Sequence, residues 1–483
     1  MEEGMNYKEI AEGLRSLGLK EGSIVMLHSS FLSLGKVNNG PGEVIKAFLD
    51  VIGKKGTLLV PAFGQLGVLV EEVKHLPGTI ISSCPVGTVA AYGPAAKVLC
   101  QDHWKAETAH GKDTPYTRLA ERGGFICLLG VDQDRNTSLH SIEALLELPY
   151  LETISRTFKN PAGKEVTREY KFYPGPHRDF IGIDRLLLDS GAMKVRRIGN
   201  AQVRLIDSAK MFDVLLAAGK ECPDLVLCSN PECADCTRQH AAIYAAEMAR
   251  ESFQLTVSSR LAGRYIPEMI ENLQRQGISR IELDYLQGKI CASLPAEKLA
   301  AAVQELKADN IEVTGIRLPV IPDEPEKLAE KLCQAKISRV VMPLAGSAKA
   351  VKALKKAGLT VVLYNIAQSA KSVAHEFSDL LKKEPGTLFA FNAANFARVG
   401  EMPFLYSYRV GRFIKTIGQL DIADCTWDGM ETELAAGNAE IKEMVSILRC
   451  GNFSGYCCLG GGSFYPADLD EAADHFRVML KNM

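Results

Sequence analysis

The C-terminal half of the chain alternates short apolar segments with amphipathic helical ones at a period of about 25–30 residues. This rhythm predicts parallel strands joined by helices, such as Pro295–Ala308 and Glu324–Ala335. Eight strands fit the pattern: Leu255–Ser259, Arg280–Asp284, Glu312–Leu318, Arg339–Pro343, Thr360–Tyr364, Thr387–Asn392, Ile417–Ala423 and Tyr456–Leu459. They suit a TIM-like (β/α)8 barrel with its active site at the C-terminal strand ends. A doubly wound open sheet is the alternative that periodicity leaves open.

The N-terminal half is less regular and predicts a mixed α/β domain over residues 1–250, followed by the barrel over 251–483. A turn at Asn160–Gly163 inside alternating residues 153–173 predicts a β-hairpin. The predicted helices and strands of this half are Tyr7–Leu17, Ile24–Leu27, Gly42–Val51, Thr57–Val60 and Phe125–Leu129.

Charge balance excludes several classes of partner. Lys and Arg total 56 against 58 Asp and Glu, so the chain has no general basic surface for nucleic acid or anionic membrane. No apolar run approaches the roughly 18 residues that span a bilayer. The start, MEEGMNYKEI, has no apolar signal-peptide core, and we expect a cytoplasmic protein with reduced cysteines.

A first polar segment, LHSSFLSLGKVNNGPGEV, follows the predicted strand that begins at Ile24. Small hydroxyls, glycine and one lysine where a strand opens toward a helix can surround phosphates or amides with backbone N–H groups. The candidates are Ser29, Ser30, Ser33, Gly35 and Lys36. A polar loop with turn glycines is the alternative.

A second segment, GFICLLGVDQDRNTSLHSIE, ends a buried strand and begins a helix that Thr137 or Ser138 could cap. His140 and Glu143 would share one face of that helix. A histidine beside a carboxylate can act as a general base near neutral pH. A surface His–Glu pair is the alternative.

A third segment, LPGTIISSCPVGTVAAYGPAA, predicts a strand or turn and then a helix of small residues after Pro85. Small residues permit close packing, which is the interpretation we favour over close ligand approach.

Together the three segments, with GTLLVPAF and RIGNAQVRLIDSAKMFD, resemble the aminoglycoside 3-N-acetyltransferase family over about residues 7–240. The resemblance implies that family's α/β fold and direct transfer of an acetyl group from acetyl-CoA to an amine. It implies that His140 is the general base, that Glu143 orients it, and that the stretch from Ser29 to Lys36 contacts coenzyme A.

This sequence departs from the family pattern on the acceptor side. The segment between the GTLLVPAF strand and the PG turn is shorter, and the family's His–Pro reads Cys84-Pro85. Glu71 and Glu72 are candidate carboxylates for a cationic acceptor, although an exposed helix face explains them equally well.

A cysteine-rich stretch, ECPDLVLCSNPECADCTRQH, is typical of a structural zinc site. Cys228, Cys233 and Cys236 would supply three ligands, with His240 as the fourth and Cys222 as its alternative. Reduced thiols without metal and a redox CxxC are the other interpretations.

The barrel half resembles the xylose-isomerase-like family of sugar phosphate isomerases and epimerases through QGISRIELDY and GNFSGYCCLGGG. Almost every metal ligand that the resemblance implies is replaced, so we predict a degenerate site without a catalytic metal. The replacements are Tyr364, Asn392, Asn395, Asp421 and Gly460, whereas Asp424 keeps the Asp that the resemblance implies. A polar sugar pocket formed by Glu282, Asn392, Asn395, Arg398 and Asp421 and a scaffold or dimerisation role stay open.

The sequence therefore predicts an acetyl-CoA-dependent N-acetyltransferase that acts on a small-molecule amine, such as an amino sugar or aminoglycoside-like compound. A bifunctional protein with an isomerase barrel, an acyltransferase for a longer acyl donor or an alcohol acceptor, and a non-catalytic binding or scaffold protein are the alternatives. A homodimer stays open.

Overall fold

The computed structural model describes residues 4–175, 177–462, 465 and 467–483. The chain divides into two compact units, Met1–Gln239 and His240–Met483. No helix in these described ranges is both long and apolar enough to cross a membrane.

The first unit is built on a seven-stranded mixed sheet, with a separate hairpin made by the sixth and seventh strands. Its strands are β1 (Ile24–Ser29), β2 (Thr57–Pro61), β3 (Ile80–Ile81), β4 (Val89–Tyr92), β5 (Phe125–Leu129), β6 (Glu152–Lys159), β7 (Glu165–Phe172), β8 (Met193–Ile198) and β9 (Ala201–Asp207). Its helices are α1 (Tyr7–Leu17), α2 (Pro41–Ile52), α3 (Val68–Lys74), α4 (Ala96–Cys100), α5 (Pro115–Glu121), α6 (His140–Leu145), α7 (Asp184–Asp189), α8 (Ser208–Glu221) and α9 (Ala234–Met248), the last of which ends in the second unit. Short 3₁₀ turns lie at Phe31–Leu34, His103–Lys105, Gln133–Arg135, Thr137–Leu139 and Phe180–Ile183.

The strand order is β3-β4-β2-β1-β5-β9-β8, in which β1 runs parallel to both β2 and β5 and the outer strands pair antiparallel. Ser29 at the end of β1 is in register with Leu129 at the end of β5. Because the carboxyl ends of parallel neighbours meet at one edge of the sheet, the loops after these two strands lie side by side.

The helix of small residues predicted after Pro85 is wrong. Val89–Tyr92 instead forms β4, which pairs antiparallel with β2 from Leu58 to Pro61. Its small, buried side chains suit a strand packed inside the sheet, and the next helix begins only at Ala96.

The second unit is a closed barrel of eight parallel strands with helices between them, which confirms the eight predicted strands. Its strands are β10 (Gln254–Ser258), β11 (Arg280–Leu283), β12 (Tyr285–Leu286), β13 (Lys289–Ile290), β14 (Glu312–Arg317), β15 (Arg339–Pro343), β16 (Thr360–Tyr364), β17 (Leu388–Asn392), β18 (Ile417–Ile422), β19 (Asp424–Cys425), β20 (Glu431–Thr432) and β21 (Tyr456–Leu459), of which β12–β13 and β19–β20 are small hairpins outside the barrel. Its helices are α10 (Ser259–Ala262), α11 (Ile266–Arg275), α12 (Ala296–Ala308), α13 (Pro325–Gln334), α14 (Ala348–Lys356), α15 (Ala370–Lys383), α16 (Ala393–Arg398), α17 (Arg409–Gly411), α18 (Ile441–Cys450) and α19 (Leu469–Lys481). A π-helical turn covers Pro403–Tyr408, and 3₁₀ turns cover Cys291–Ser293 and Phe413–Lys415.

Candidate active site

The His140–Glu143 pair predicted from spacing is formed at the start of α6. Nδ1 of His140 lies 2.5 Å from Oε2 of Glu143, whose side chain is fully buried, whereas the histidine side chain is 24% exposed. Neither Thr137 nor Ser138 caps the turn that leads into α6; the side chain of Asn136 accepts the Ser138 N–H instead. The imidazole is thus fixed on one side and accessible on the other.

Two further side chains anchor Glu143 through its other oxygen, Oε1. The Arg178 guanidinium donates from Nε at 2.6 Å, and the Tyr150 hydroxyl donates at 2.8 Å. Burial works against ionisation of Glu143, but the charges and hydrogen bonds of His140 and Arg178 outweigh it and hold the pKa of Glu143 below its ordinary value. Glu143 is therefore an ionised carboxylate near neutral pH.

Aromatic rings enclose the imidazole of His140. Tyr173 stacks on it with ring centroids 4.4 Å apart, Phe180 meets it edge-on at 5.2 Å, and His110 lies at 5.5 Å. These contacts restrict rotation of the ring, so the hydrogen bond to Glu143 keeps one geometry.

Three other histidines are buried in the first unit. Burial lowers the pKa of His28 to about 3 and that of His103 to about 4. Burial, together with the charges of neighbouring histidines, also holds the pKa of His110 well below its ordinary value. All three are neutral at pH 7. The ring nitrogens of His103 are bonded to the Ser82 hydroxyl and the Ala109 carbonyl.

A cavity of about 650 Å³ opens at the sheet edge where β1 and β5 end. Ser29 and Ser30 line it, and so does Thr137, three residues before His140. The other side chains that line it include Phe31, Phe63, Gln65, Val131, Asp134 and Arg135. Apolar walls with a few polar groups are typical of a site for an organic ligand.

The other three predicted coenzyme A residues shape the loop beside this cavity and lie outside its lining. Ser33 donates its hydroxyl proton to the Gly130 carbonyl at 2.8 Å. Gly35 ends the 3₁₀ turn at a positive φ of 82°, and the Lys36 carbonyl accepts the N–H of Met5.

The two candidate acceptor carboxylates, Glu71 and Glu72, are exposed on α3. Glu71 pairs with Lys74 of the same helix at 2.9 Å. Their exposure agrees with the alternative interpretation, in which Glu71 and Glu72 belong to a solvent-exposed helix face.

The cysteine-rich stretch gathers three of its thiols around a histidine that the sequence did not single out. His177 Nδ1 lies 3.2 Å from Cys236 Sγ, 3.3 Å from Cys233 Sγ and 3.9 Å from Cys228 Sγ. The four ligand atoms are all within 4.8 Å of one another.

Among the residues that the structure describes, the histidine grouped with these thiols is His177 and not the predicted fourth ligand, His240. His240 lies one turn further along α9, and its Nδ1 is 3.4 Å from the Tyr244 hydroxyl. Cys222, the alternative, places its thiol 3.1 Å from a carboxylate oxygen of Asp224. His177 reaches the thiols instead because the segment after the hairpin runs past the start of α9.

The barrel interior holds a buried network of opposite charges. Arg317 donates to Glu282 at 2.6 Å and to Asp421 at 2.5 Å, and Arg339 donates to Glu282 at 3.1 Å. Burial opposes ionisation of Glu282, but the two guanidiniums outweigh it and lower its pKa. Glu282 and Asp421, which the sequence offered as members of a polar sugar pocket, are therefore both hydrogen-bonded to an arginine side chain.

The remaining members of the predicted sugar pocket also bond to protein groups. Asn392 donates to Asp421 at 3.1 Å, and Asn395 donates to the Asn365 carbonyl at 2.7 Å. Arg398 donates to Asn395 at 2.7 Å and forms an ion pair with Glu431.

Comparison with known proteins identifies the unit that carries His140. The sequence model of the aminoglycoside 3-N-acetyltransferase family matches residues 26–66 and 64–218. Aminoglycoside N(3)-acetyltransferase IX of Micromonospora chalcea is 30% identical over 253 residues, which cover 42% of this chain and 89% of that protein. The chain belongs to the aminoglycoside 3-N-acetyltransferase family. It is an N-acetyltransferase.

A second relative of this N-acetyltransferase, aminoglycoside N(3)-acetyltransferase VII of Streptomyces paromomycinus, is 34% identical over 176 residues, or 29% of this chain and 60% of that protein. Among solved structures, aminoglycoside acetyltransferase AAC(3)-IVa is 28% identical with a TM-score of 0.45, covering 49% of this chain and 96% of that one.

Sequence reasoning missed Arg178, Tyr150 and His177 in this acetyltransferase. Arg178 and His177 are adjacent in the chain, directly after the hairpin, and lie far in sequence from Glu143 and from the cysteines. Nothing in their local spacing signals those contacts, because they depend on where the hairpin returns the chain.

Proposed function

We propose that the first unit transfers the acetyl group of acetyl-CoA to an amine of a small molecule, with His140 as general base. The hydrogen bond between His140 Nδ1 and Glu143 carries this proposal. The names of the relatives support an amino sugar or aminoglycoside-like acceptor.

The hydrogen bonding of His140 suits proton abstraction at Nε2. An ionised carboxylate accepts a hydrogen bond, so Nδ1 carries the proton and Nε2 keeps its lone pair. Glu143 also stabilises the imidazolium that forms when Nε2 takes a proton.

In the proposed reaction, the acceptor ammonium loses a proton to Nε2 of His140. The amine nitrogen then attacks the thioester carbonyl carbon, and a C–N bond forms. The tetrahedral intermediate collapses as the C–S bond breaks, and the imidazolium of His140 gives its proton to the leaving thiolate, which becomes the thiol of coenzyme A. The nitrogen loses its extra proton to solvent and becomes a neutral amide, and His140 is neutral again. No acyl-enzyme is needed, because the acceptor itself is the nucleophile.

The cavity at the ends of β1 and β5 is our proposed site for acetyl-CoA. Ser29 and Ser30 line it. Thr137, which also lines it, is only three residues before His140 at the start of α6. Ser33, Gly35 and Lys36 would contribute by shaping the loop that closes it.

The test is calorimetric titration of acetyl-CoA into the wild type and into His140→Ala, coupled to thiol release with a panel of amines and amino sugars. We expect both proteins to bind acetyl-CoA, and turnover in the variant to fall on the order of 10²–10⁴-fold. Absence of acetyl-CoA binding to the wild type would falsify the proposal. Equal turnover by both proteins would remove His140 from it.

We propose that the barrel over residues 251–483 is a xylose-isomerase-like TIM barrel whose metal site has been replaced by ion pairs. The support is Arg317, which bonds to both Glu282 and Asp421. Aldose–ketose interconversion assayed with added Mg²⁺, Mn²⁺ or Co²⁺ is expected to stay at background. Metal-dependent turnover would instead favour a bifunctional enzyme.

A further inference from the structure

A cluster of three thiols and one imidazole lies beside the start of α9, and none of its four side chains takes part in a bond-making or bond-breaking step of the proposed reaction. In a tetrahedral zinc site, bonds of about 2.3 Å to sulfur and 2.0–2.1 Å to nitrogen hold ligand atoms about 3.5–3.8 Å apart. The distances from His177 Nδ1 to the three sulfurs are 3.2, 3.3 and 3.9 Å. We propose that His177, Cys228, Cys233 and Cys236 bind one Zn²⁺ ion.

The donor set favours zinc over other ions and over free thiols. Three sulfurs and one imidazole are soft and borderline ligands, which calcium and magnesium do not select. Neutral thiols are weak hydrogen-bonding groups, so hydrogen bonding alone gives little reason for three of them to converge on one ring nitrogen. Four protein ligands complete a tetrahedron, and the site is therefore structural.

Groups around the ligands hold them in this arrangement. The backbone N–H of His177 donates to Asp235 at 3.1 Å, and the N–H of Cys228 donates to Cys236 Sγ at 3.4 Å. Gly175 leaves room for the same carboxylate, since a Cβ there would lie 2.4 Å from Asp235 Oδ1. Such outer partners orient metal ligands in known sites.

The metal would fix the segment that carries Arg178. His177 is a ligand, and the next residue donates to Glu143, which in turn holds His140. Arg178 also donates to the His177 carbonyl at 2.6 Å. We therefore assign zinc a positioning role for Glu143. This role rests on the proposed function, whereas the metal site itself does not.

The first experiment counts metal in the full chain, expressed with zinc and dialysed, by mass spectrometry of the metal. We expect about one zinc per chain in the wild type and its loss in His177→Ala and Cys233→Ser. The matched controls His240→Ala and Cys222→Ser should keep it. Wild type without zinc would overturn the proposal, as would zinc that depends on His240 and not on His177.

A second variant guards against loss of metal through misfolding. His177→Cys offers four thiolates, so it should retain about one zinc per chain. Loaded with Co²⁺ instead, the wild type and this variant should both give tetrahedral spectra, with stronger sulfur-to-metal charge transfer in the variant. A Cys233–Cys236 disulfide in the metal-free native chain, detected as a mass lower by two hydrogens, would overturn the site.

The positioning role has its own readout. Removal of zinc by a chelator should lower kcat and shift the acidic limb of its pH profile, and added zinc should restore both. An unchanged kcat and pH profile after zinc loss would overturn the role and leave the site intact. A zinc-loaded protein that transfers no acetyl group would overturn the proposed function and leave the site intact.

Discussion

Both units bury a carboxylate against an arginine, but the third partner differs. In the first unit, Glu143 is bonded both to Arg178 and to the partly exposed imidazole of His140. In the barrel, Glu282 lies between two guanidiniums, those of Arg317 and Arg339, and all three side chains are almost fully buried.

This difference decides what each carboxylate can do. An arginine stays protonated at any pH at which the protein is folded, so the guanidiniums of the barrel network cannot take up a proton from a substrate. A neutral imidazole has a ring nitrogen whose lone pair can accept a proton, which a guanidinium lacks, and the His140 side chain is partly exposed. A buried carboxylate beside an imidazole therefore suits the proton transfer that we propose for the first unit, whereas the barrel carboxylate is held between two fixed positive charges.

Glu143→Gln should produce the largest effect. Oε1 of Glu143 accepts from Arg178 and Tyr150, so the amide oxygen would take that place and the amide NH₂ would face His140. Nδ1 of His140 would then have to accept a hydrogen bond from that NH₂ group. The ring proton would move to Nε2, which could no longer take a proton from the acceptor. We expect kcat to fall on the order of 10²–10⁴-fold, measured by thiol release, with little change in acetyl-CoA affinity.

The matched control is Glu282→Gln in the barrel. It makes the same chemical change in a network without histidine, and we expect lower stability with unchanged acetyl transfer. If Glu143→Gln keeps kcat within about tenfold of the wild type, the contrast between the two carboxylates fails.

Arg317→Met should give the next largest effect, on stability. It leaves Glu282 and Asp421 buried without the guanidinium that they share. Breaking a buried ion pair from one side costs about 3–5 kcal/mol, which should lower the free energy of unfolding measured by urea denaturation. Lys327→Met, which removes an exposed ion pair with Glu324, should leave it close to the wild-type value. A loss for Arg317→Met as small as that control would show that the network is dispensable.

The sequence predicts features whose signal is local or periodic. The barrel strands follow from a regular apolar repeat, and the His140–Glu143 contact follows from a spacing of three on a helix. The helix predicted after Pro85 failed because β4 gains its backbone hydrogen bonds from β2, which propensity in a single segment does not report.

Contacts between side chains that are far apart in the sequence could not be predicted from local sequence patterns. His240 was the nearest histidine to the cysteines along the chain, but His177 is the one that meets them in space. Arg317 was overlooked in the barrel because its segment has no motif, and only barrel closure brings it between Glu282 and Asp421.

Acid should weaken the first unit before the barrel. The folded-state pKa values of His28 and His103 lie near 3 and 4, below the unfolded value of 6.5. Their stabilising effect is therefore present above pH 6.5 and is lost as pH falls toward 4, because the unfolded chain takes up protons that the native state does not. At pH 5 this costs about 2 kcal/mol per histidine.

Hydrogen exchange followed by mass spectrometry separates the two units in that experiment. Among the residues that the structure describes, every buried histidine lies in the first unit. Peptides from β1, β4 and β5 should therefore lose protection between pH 7 and pH 5 before peptides from β15 and β16. Equal loss in both units would contradict the assignment.

Tyr150→Phe should give the smallest effect. It tests whether Glu143 needs both of the hydrogen-bond donors to its Oε1 atom to stay in place. The change removes one of the two hydrogen bonds to Oε1, at 2.8 Å, while Arg178 keeps the carboxylate in place. We expect a loss of about 1–2 kcal/mol in unfolding free energy and less than about tenfold in kcat.

Tyr364→Phe is the matched barrel variant, because the Tyr364 hydroxyl donates to the Leu318 carbonyl at 2.9 Å. It should lose about 1 kcal/mol with no change in kcat. If Tyr150→Phe lowers kcat as strongly as Glu143→Gln, Tyr150 holds the orientation of Glu143 and Arg178 alone does not suffice.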